Sequence, residues 1–203
     1  ALIHPTADIA ENVDIGAYAI VDKNVSIGSG TVIKESAVIR ENTSVGRNNL
    51  IFQFATIGEI PQDLKFKDEK STCTIGDNNI FREYCSIHRG TKAGISDTRI
   101  GNNNLFMAYT HVAHDCVIVN DCILSNGASL AGHVRLDSNV SLGGFTLVHQ
   151  FCHIGEYAFS GLGTVISQDV TPYTLIAGNH AKAYKINSTG LKRKGFDNDT
   201  ILS

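Results

Sequence analysis

The sequence predicts an all-β fold: a parallel β-helix of hexapeptide repeats with two loops extruded from it and a short helical segment at the C-terminal end. Three observations predict it. The first is a six-residue period. From Ile3, steps of six reach Ile9, Ile15, Val21, Ile27, Ile33, Ile39, Val45, Ile51 and Ile57; the phase resumes at Ile75, Phe81 and Ile87, then restarts at Ile100 and runs to Ile166. Of the 25 positions so reached, 22 are Ile, Leu or Val, two are Phe, and one, Ser160, is polar. The second is composition: 19 Gly, no Trp and 7% aromatic residues favour short strands and tight turns over helix bundles. The third is that the repeat breaks only twice before its end, and both breaks are rich in polar and turn-forming residues.

A period of six matches neither an amphipathic helix nor a simple alternating strand, so each hexad must be a short strand plus a turn. Such a unit cannot bury its apolar face alone, and stacked neighbours build one continuous core. With three hexads per coil, residues 18 apart stack at about 4.8 Å, the strand spacing. The prism is expected over residues 1–178. "GEIPQDLKFKDEKSTCT" (58–74) and "HRGTKAGISDTR" (88–99) lose the aliphatic position and are expected as loops, where binding residues concentrate. Residues 179–203 are expected to begin a helical region that is cut short.

Charge and hydropathy exclude some functions. The net charge of −3 argues against a general nucleic-acid binder. Residues 180–203 carry five Lys or Arg against Asp197 and Asp199, net +3, leaving −6 for the rest of the chain. A basic patch beside an acidic body suits an acidic partner or a phosphate. No apolar run approaches 18 residues, and the N-terminus lacks the layout of an export signal, so stable membrane insertion is not expected and a cytoplasmic location is.

The repeat also orients the chemistry-bearing side chains. The first and fifth residues of each hexad point inward, the others outward or to a corner. All five cysteines fall at the fifth position, which makes them small core fillers in a reducing compartment rather than disulfides or zinc ligands. Histidines behave differently: His111, His114, His133 and His149 occupy sixth, third, fourth and second positions and face out. Counting by threes stacks "VAHDCV", "LAGHVR" and "VHQFCH" on one face. If seven extra residues of the second loop bulge out, "IHRGTK" joins them and adds His88. Imidazoles gathered on one edge suit general base catalysis on a weakly nucleophilic hydroxyl. His114 is the chosen base, Asp115 the group that would orient it, though a plain turn aspartate is an open alternative. Gly132, 18 residues after His114, would sit directly above it and offer an N–H to a developing oxyanion; an ordinary corner glycine is the alternative there.

"IGEIPQDLK", "SIHRGT", "HVAHDC", "LAGHV", "VHQFC", "QDVTPY", "GNHA" and "GLKRKGF" occur in the order and spacing of the UDP-N-acetylglucosamine O-acyltransferases that begin lipid A synthesis, and nearly the whole chain resembles that family. The resemblance implies a left-handed coil. It also implies transfer of a 3-hydroxyacyl group from acyl carrier protein to the 3-position hydroxyl of the nucleotide sugar, in a homotrimer with active sites between subunits. The carrier thioester is a co-substrate, and no cofactor or metal is implied.

By resemblance, Asp63 and Lys65 hold the glucosamine, His111 and His133 line the pocket with His88, and His149 and Gln150 contact the nucleotide, as do Asn187 and Arg193. Gly144 and Leu162, again 18 apart, match an acyl-chain groove and its stop. Thr189 and Lys194 depart from the family's usual Glu and Arg; lysine meets phosphate only as a point charge. Two other readings compete. A zinc lyase of the γ-carbonic anhydrase kind would use His111, His114, His133 and His149 as ligands. An N-acyltransferase acting on a 3-amino sugar nucleotide would need the same base.

Overall fold

Hexads stack as the period requires, because each strand can pair only with the strands one coil away. A computed structural model describes residues 1–202, as a left-handed parallel β-helix whose three faces are sheets of nine, eight and ten short strands. Successive coils pair in register 18 residues apart: Val112 with Leu130, Ile118 with Leu136, Leu124 with Leu142. The aliphatic first positions fill the interior as one column of buried Ile, Leu and Val per face. The two phenylalanines of the repeat, Phe81 and Phe106, lie one coil apart and stack at 4.7 Å with their rings within 7°. Ser160 is buried, and its hydroxyl accepts the Gly143 N–H at 3.0 Å and pairs with Thr146 Oγ1 at 2.8 Å.

The insertions are absorbed without loss of register. Ile57 pairs with Ile87 and Ile87 with Val112, separations of 30 and 25 residues, so the two loops add 12 and seven residues to coils of 18. Both loops are narrower than the sequence suggests. Thr72–Ile75 and Asp97–Ile100 are strands that pair with each other, leaving 60–71 and 89–96 outside the prism. Cys73 is therefore a buried strand residue, like the other four cysteines, all free. At the C-terminal end the segment expected to be helical opens with a strand: Lys182–Ile186 pairs antiparallel with Thr174–Ala177. Helices Ser188–Arg193 and Asn198–Leu202 follow.

One internal feature has no counterpart in the aliphatic pattern. At one corner the fifth hexad position is asparagine in three successive coils, and the carboxamides form a buried ladder. Asn49 Oδ1 accepts the Asn79 N–H at 2.8 Å and its Nδ2 at 3.0 Å; Asn79 Oδ1 accepts the Asn104 N–H at 2.9 Å and its Nδ2 at 3.0 Å. Thr31 Oγ1 starts the column by accepting from Asn49 N, and Asn104 Oδ1 ends it by accepting from Cys122 N. Removing one rung strands its neighbours, and a buried unsatisfied group costs about 1–3 kcal/mol. Asn79→Ala leaves the Asn104 N–H without its acceptor and the Gly101 carbonyl without its side-chain donor. It is expected to lower unfolding free energy by about 2–4 kcal/mol, measured as the shift in the urea midpoint; a shift worth under about 0.5 kcal/mol would mean the ladder adds nothing.

Candidate active site

The candidate site lies at the corner where the face carrying His111–Val112 turns into the face carrying Val117–Ile118. Three coils bring His88, His111, His114 and His133 to it, and loop 60–71 hangs over it. Together they bound an open cleft of about 840 Å³ with Asp63, Lys65, Gly132, Gln150 and Phe151 on its walls. Small residues at Ala113 and Ala131 leave the space empty. The imidazoles interlock: His88 meets His111 edge to face at 4.8 Å, His114 meets His133 at 5.0 Å, and His133 stacks on Phe151 at 4.4 Å.

His114 and Asp115 are joined. Backbone φ at Asp115 is 60°, a left-handed corner that turns its side chain back towards the imidazole, and Asp115 Oδ2 accepts from His114 Nδ1 at 2.8 Å. A carboxylate cannot donate, so the neutral ring carries its proton on Nδ1 and leaves Nε2 as an acceptor facing the cleft. The carboxylate is buried and also accepts from Thr91 N, Thr91 Oγ1 and Ile95 N. Burial alone would raise its pKa. The Thr91 hydroxyl, the His114 ring and the Thr91 amide more than offset that, so the group is held below the usual carboxylate range.

Burial sets the other imidazoles. It pushes His88 down to about 4, with the neighbouring His111 adding to the shift, and it lowers His111 and His133 as well. All three are neutral near pH 7. His111 Nδ1 pairs with Ser86 Oγ at 2.7 Å, which fixes its ring on the wall. His88, expected to face out, is instead buried in the floor, and its Nδ1 has no partner among the described residues.

Gly132 is required by His114 itself. A Cβ built on it would lie 2.6 Å from the imidazole Cε1 and 2.8 Å from Nε2, so the ring occupies the space a side chain would take. Among the described residues the Gly132 N–H has no acceptor, and it lies at the corner one coil above His114.

The structure places the remaining expected residues unevenly. The Asp63 carboxylate accepts its own loop's Lys65 N–H at 2.9 Å, and the Lys65 side chain is exposed at the cleft. Gln150 lines the cleft, whereas His149 points past it into solvent with Nδ1 3.2 Å from the Gln150 carbonyl. Asn187, expected at the nucleotide, caps helix Ser188–Arg193: its Oδ1 accepts from Gly190 N and its Nδ2 donates to the Tyr157 carbonyl. Arg193 is exposed and has no ion pair among the described residues. Gly144 and Leu162 stack as expected, with Leu162 Cδ1 3.1 Å from where a Cβ on Gly144 would stand. They sit, however, at the opposite corner of the His111 face, not beside the catalytic edge. Sequence reasoning missed Thr91, Gly94 and Ile95, which lie in an aperiodic loop, and Phe151.

A second histidine–carboxylate pair, His153 Nε2 to Asp137 Oδ2 at 2.7 Å, is exposed on another face, and Arg135 shares its carboxylate. A cation is poorly served at the first pair: ligand atoms of His114, Asp115 and His133 lie within 4.8 Å of one another, but four donors already occupy the Asp115 carboxylate.

Residues 97–132 match the bacterial transferase hexapeptide (six repeats) model, and residues 169–203 match domain 2 of UDP-N-acetylglucosamine O-acyltransferase. A Pseudomonas fluorescens protein named acyl-[acyl-carrier-protein]–UDP-N-acetylglucosamine O-acyltransferase is 48% identical over 201 residues, 99% of this chain and 78% of that one. Its Janthinobacterium namesake is 45% identical over 203 residues, 100% of this chain and 78% of that one. Among solved structures, the Moraxella catarrhalis UDP-N-acetylglucosamine O-acyltransferase (LpxA) superposes with a TM-score of 0.98 at 47% identity, covering 99% of this chain and 78% of that one. LpxA from Acinetobacter baumannii gives 0.97 at 44%, with the same coverage.

Proposed function

The chain belongs to the UDP-N-acetylglucosamine O-acyltransferases, and from that membership we propose how its own residues transfer a 3-hydroxyacyl group from acyl carrier protein to the 3-position hydroxyl of UDP-N-acetylglucosamine, the first step of lipid A synthesis. The observation that carries the reading is the His114–Asp115 pair, with the imidazole proton held on Nδ1 and Nε2 open to the cleft.

His114 Nε2 takes the proton of the sugar hydroxyl as the oxygen attacks the thioester carbonyl carbon. Negative charge passes to the carbonyl oxygen, where the Gly132 N–H receives it; such a donor is typically worth about 3 kcal/mol. Asp115 stabilises the imidazolium formed in this step. The carbon–sulfur bond then breaks, and the imidazolium returns its proton to the departing thiolate. The thioester arrives already activated, so no cofactor enters the scheme. Asp63 and Lys65 hold the glucosamine from the overhanging loop, with His88, His111 and His133 forming the floor and wall. Gln150 on the cleft wall meets the nucleotide, with the exposed His149 and Arg193 assigned to the part of it that extends beyond the cleft, and the C-terminal lysines suit an acidic carrier. The N-acyl alternative is not favoured, since the relatives named above are O-acyltransferases. Nor is the zinc lyase, which would need a carboxylate or imidazole set free of other donors.

No helix among the described residues is long and apolar enough to cross a membrane. The five buried free cysteines fit a reducing compartment, which supports a cytoplasmic location for the reaction. Mass spectrometry of products from acyl carrier protein donors and sugar-nucleotide acceptors tests the function. An acyl ester on UDP-N-acetylglucosamine is expected, and failure to acylate any hydroxyl acceptor would end the reading.

The reading also requires a trimer. Leu64 at the loop tip is fully exposed, Phe151 on the cleft wall and Leu147 on the His111 face stand half-exposed or more, and Phe145 and Leu162 are exposed at the far corner of that face. Apolar groups in this density need cover, and a neighbouring subunit closes the groove. Sedimentation is expected to give three chains per particle; a monomer with full activity would show that one chain suffices.

A further inference from the structure

We propose that the second insertion, residues 89–96, is a clamp for the catalytic pair and that Thr91 is its positioning residue. The inference rests on His114 acting as the base. It begins from the geometry around Asp115, which is buried and has no Lys or Arg partner among the described residues. Its charge is held by the loop instead. Thr91 N lies 3.1 Å from both carboxylate oxygens, Thr91 Oγ1 lies 2.7 Å from Oδ2, and Ile95 N lies 2.9 Å from Oδ1.

The loop is shaped for this contact. Gly94 and Ser96 both donate their N–H to the Thr91 carbonyl, at 3.1 and 3.0 Å, which curls 91–96 into a tight turn around the carboxylate. Gly94 packs flat against it: a Cβ there would stand 2.2 Å from Asp115 Cγ and 2.4 Å from each oxygen. From the other side Thr98 Oγ1 accepts the Asp115 N–H at 2.9 Å. An insertion tolerated only because it is extruded would have no reason to wrap two amides and a hydroxyl around one buried anion. Each donor fixes an oxygen in space, and together they leave Oδ2 aimed at His114 Nδ1. Loop 89–96 thus selects the imidazole tautomer that presents a bare Nε2 to the acceptor hydroxyl. The Thr91 hydroxyl is also the strongest single influence favouring ionised Asp115.

Thr91→Val keeps the backbone amide and removes the hydroxyl. It is expected to lower kcat about 10-fold with KM for the sugar nucleotide unchanged within about twofold, because the interaction lost matters only as charge develops on His114. Thr91→Ser restores kcat. Thr91→Ala, which avoids placing a second methyl against the carboxylate, reproduces the loss and keeps the test open if the valine variant fails to fold. Long-range ¹H–¹⁵N spectra of the neutral imidazole supply the independent readout. His114 is expected protonated on Nδ1 in the parent protein and as a mixture of tautomers in Thr91→Val and Thr91→Ala. An unchanged kcat and tautomer in both variants, with His114→Ala still inactive, overturns the clamp alone; an active His114→Ala overturns the underlying reading instead. A raised KM at constant kcat would make the loop a substrate contact and likewise overturn the clamp.

Discussion

Replacing His114 with alanine lowers turnover by at least about 10²-fold, the loss typical of a general base, while the coil and its assembly stay intact. The imidazole lies at the cleft surface rather than inside the prism, so its removal leaves no core cavity. What disappears is the acceptor that takes the sugar proton and the cation that Asp115 is placed to stabilise. KM for the sugar nucleotide is expected to change little, since its binding groups are other side chains, on the overhanging loop and on the floor and walls of the cleft. Steady-state kinetics on a verified oligomer decide the matter, and turnover near the parent value would remove His114 from the chemistry.

Leu162→Gly is expected to move the acyl-length optimum upward. The acyl chain must leave the catalytic corner and cross the His111 face, where Ser129 and the half-exposed Leu147 stack above His111. At the far corner Gly144 leaves a gap, and Leu162 leans over it from the next coil. One coil of about 4.8 Å corresponds to roughly four methylenes, each worth about 0.8 kcal/mol when buried. With Leu162 in place, donors of about ten to twelve carbons are favoured. Removing it opens up to about 3 kcal/mol of new contact, a shift of order 10² in the long-to-short ratio of kcat/KM. Competition between long and short 3-hydroxyacyl donors measures that ratio, and an unchanged preference would show that the chain ends elsewhere.

Which of these features were legible in the sequence depends on how each is encoded. The period and register of the coil were legible, because one aliphatic side chain per hexad is enough to state the period, and the period dictates that residues 18 apart touch; its left-handedness follows only from the family resemblance. His114 under Gly132 and Leu162 over Gly144 follow from that arithmetic alone. The Asn49–Asn79–Asn104 ladder obeys the same period but is not legible from it: the pattern marks the fifth position only as small and apolar, and a polar residue survives there only when a whole column of partners satisfies it. Thr91 was illegible for a different reason. It lies 24 residues before Asp115 in a segment without periodicity, and no pattern predicts where an aperiodic loop folds back. Asn187, implied at the nucleotide by the resemblance, stands just before Ser188, and that position alone marks it as a helix cap.

The two insertions show that this molecule has something like a reading frame. Twelve residues enter at one corner and seven at the same corner one coil later, yet Ile57, Ile87 and Val112 remain stacked and every side chain downstream keeps its face. Extra chain leaves the prism and returns to the same rung, so length changes within 60–71 or 89–96 are silent to the rest of the coil. A single residue deleted inside a hexad has no such exit. Placed between His114 and His133, past both loops, it would turn every later side chain out of phase, sending core aliphatics outward and carrying His133 away from His114. Variation in length is therefore confined to the rims of the cleft, where it alters what the enzyme holds, and is barred from the walls that keep its catalytic groups in line.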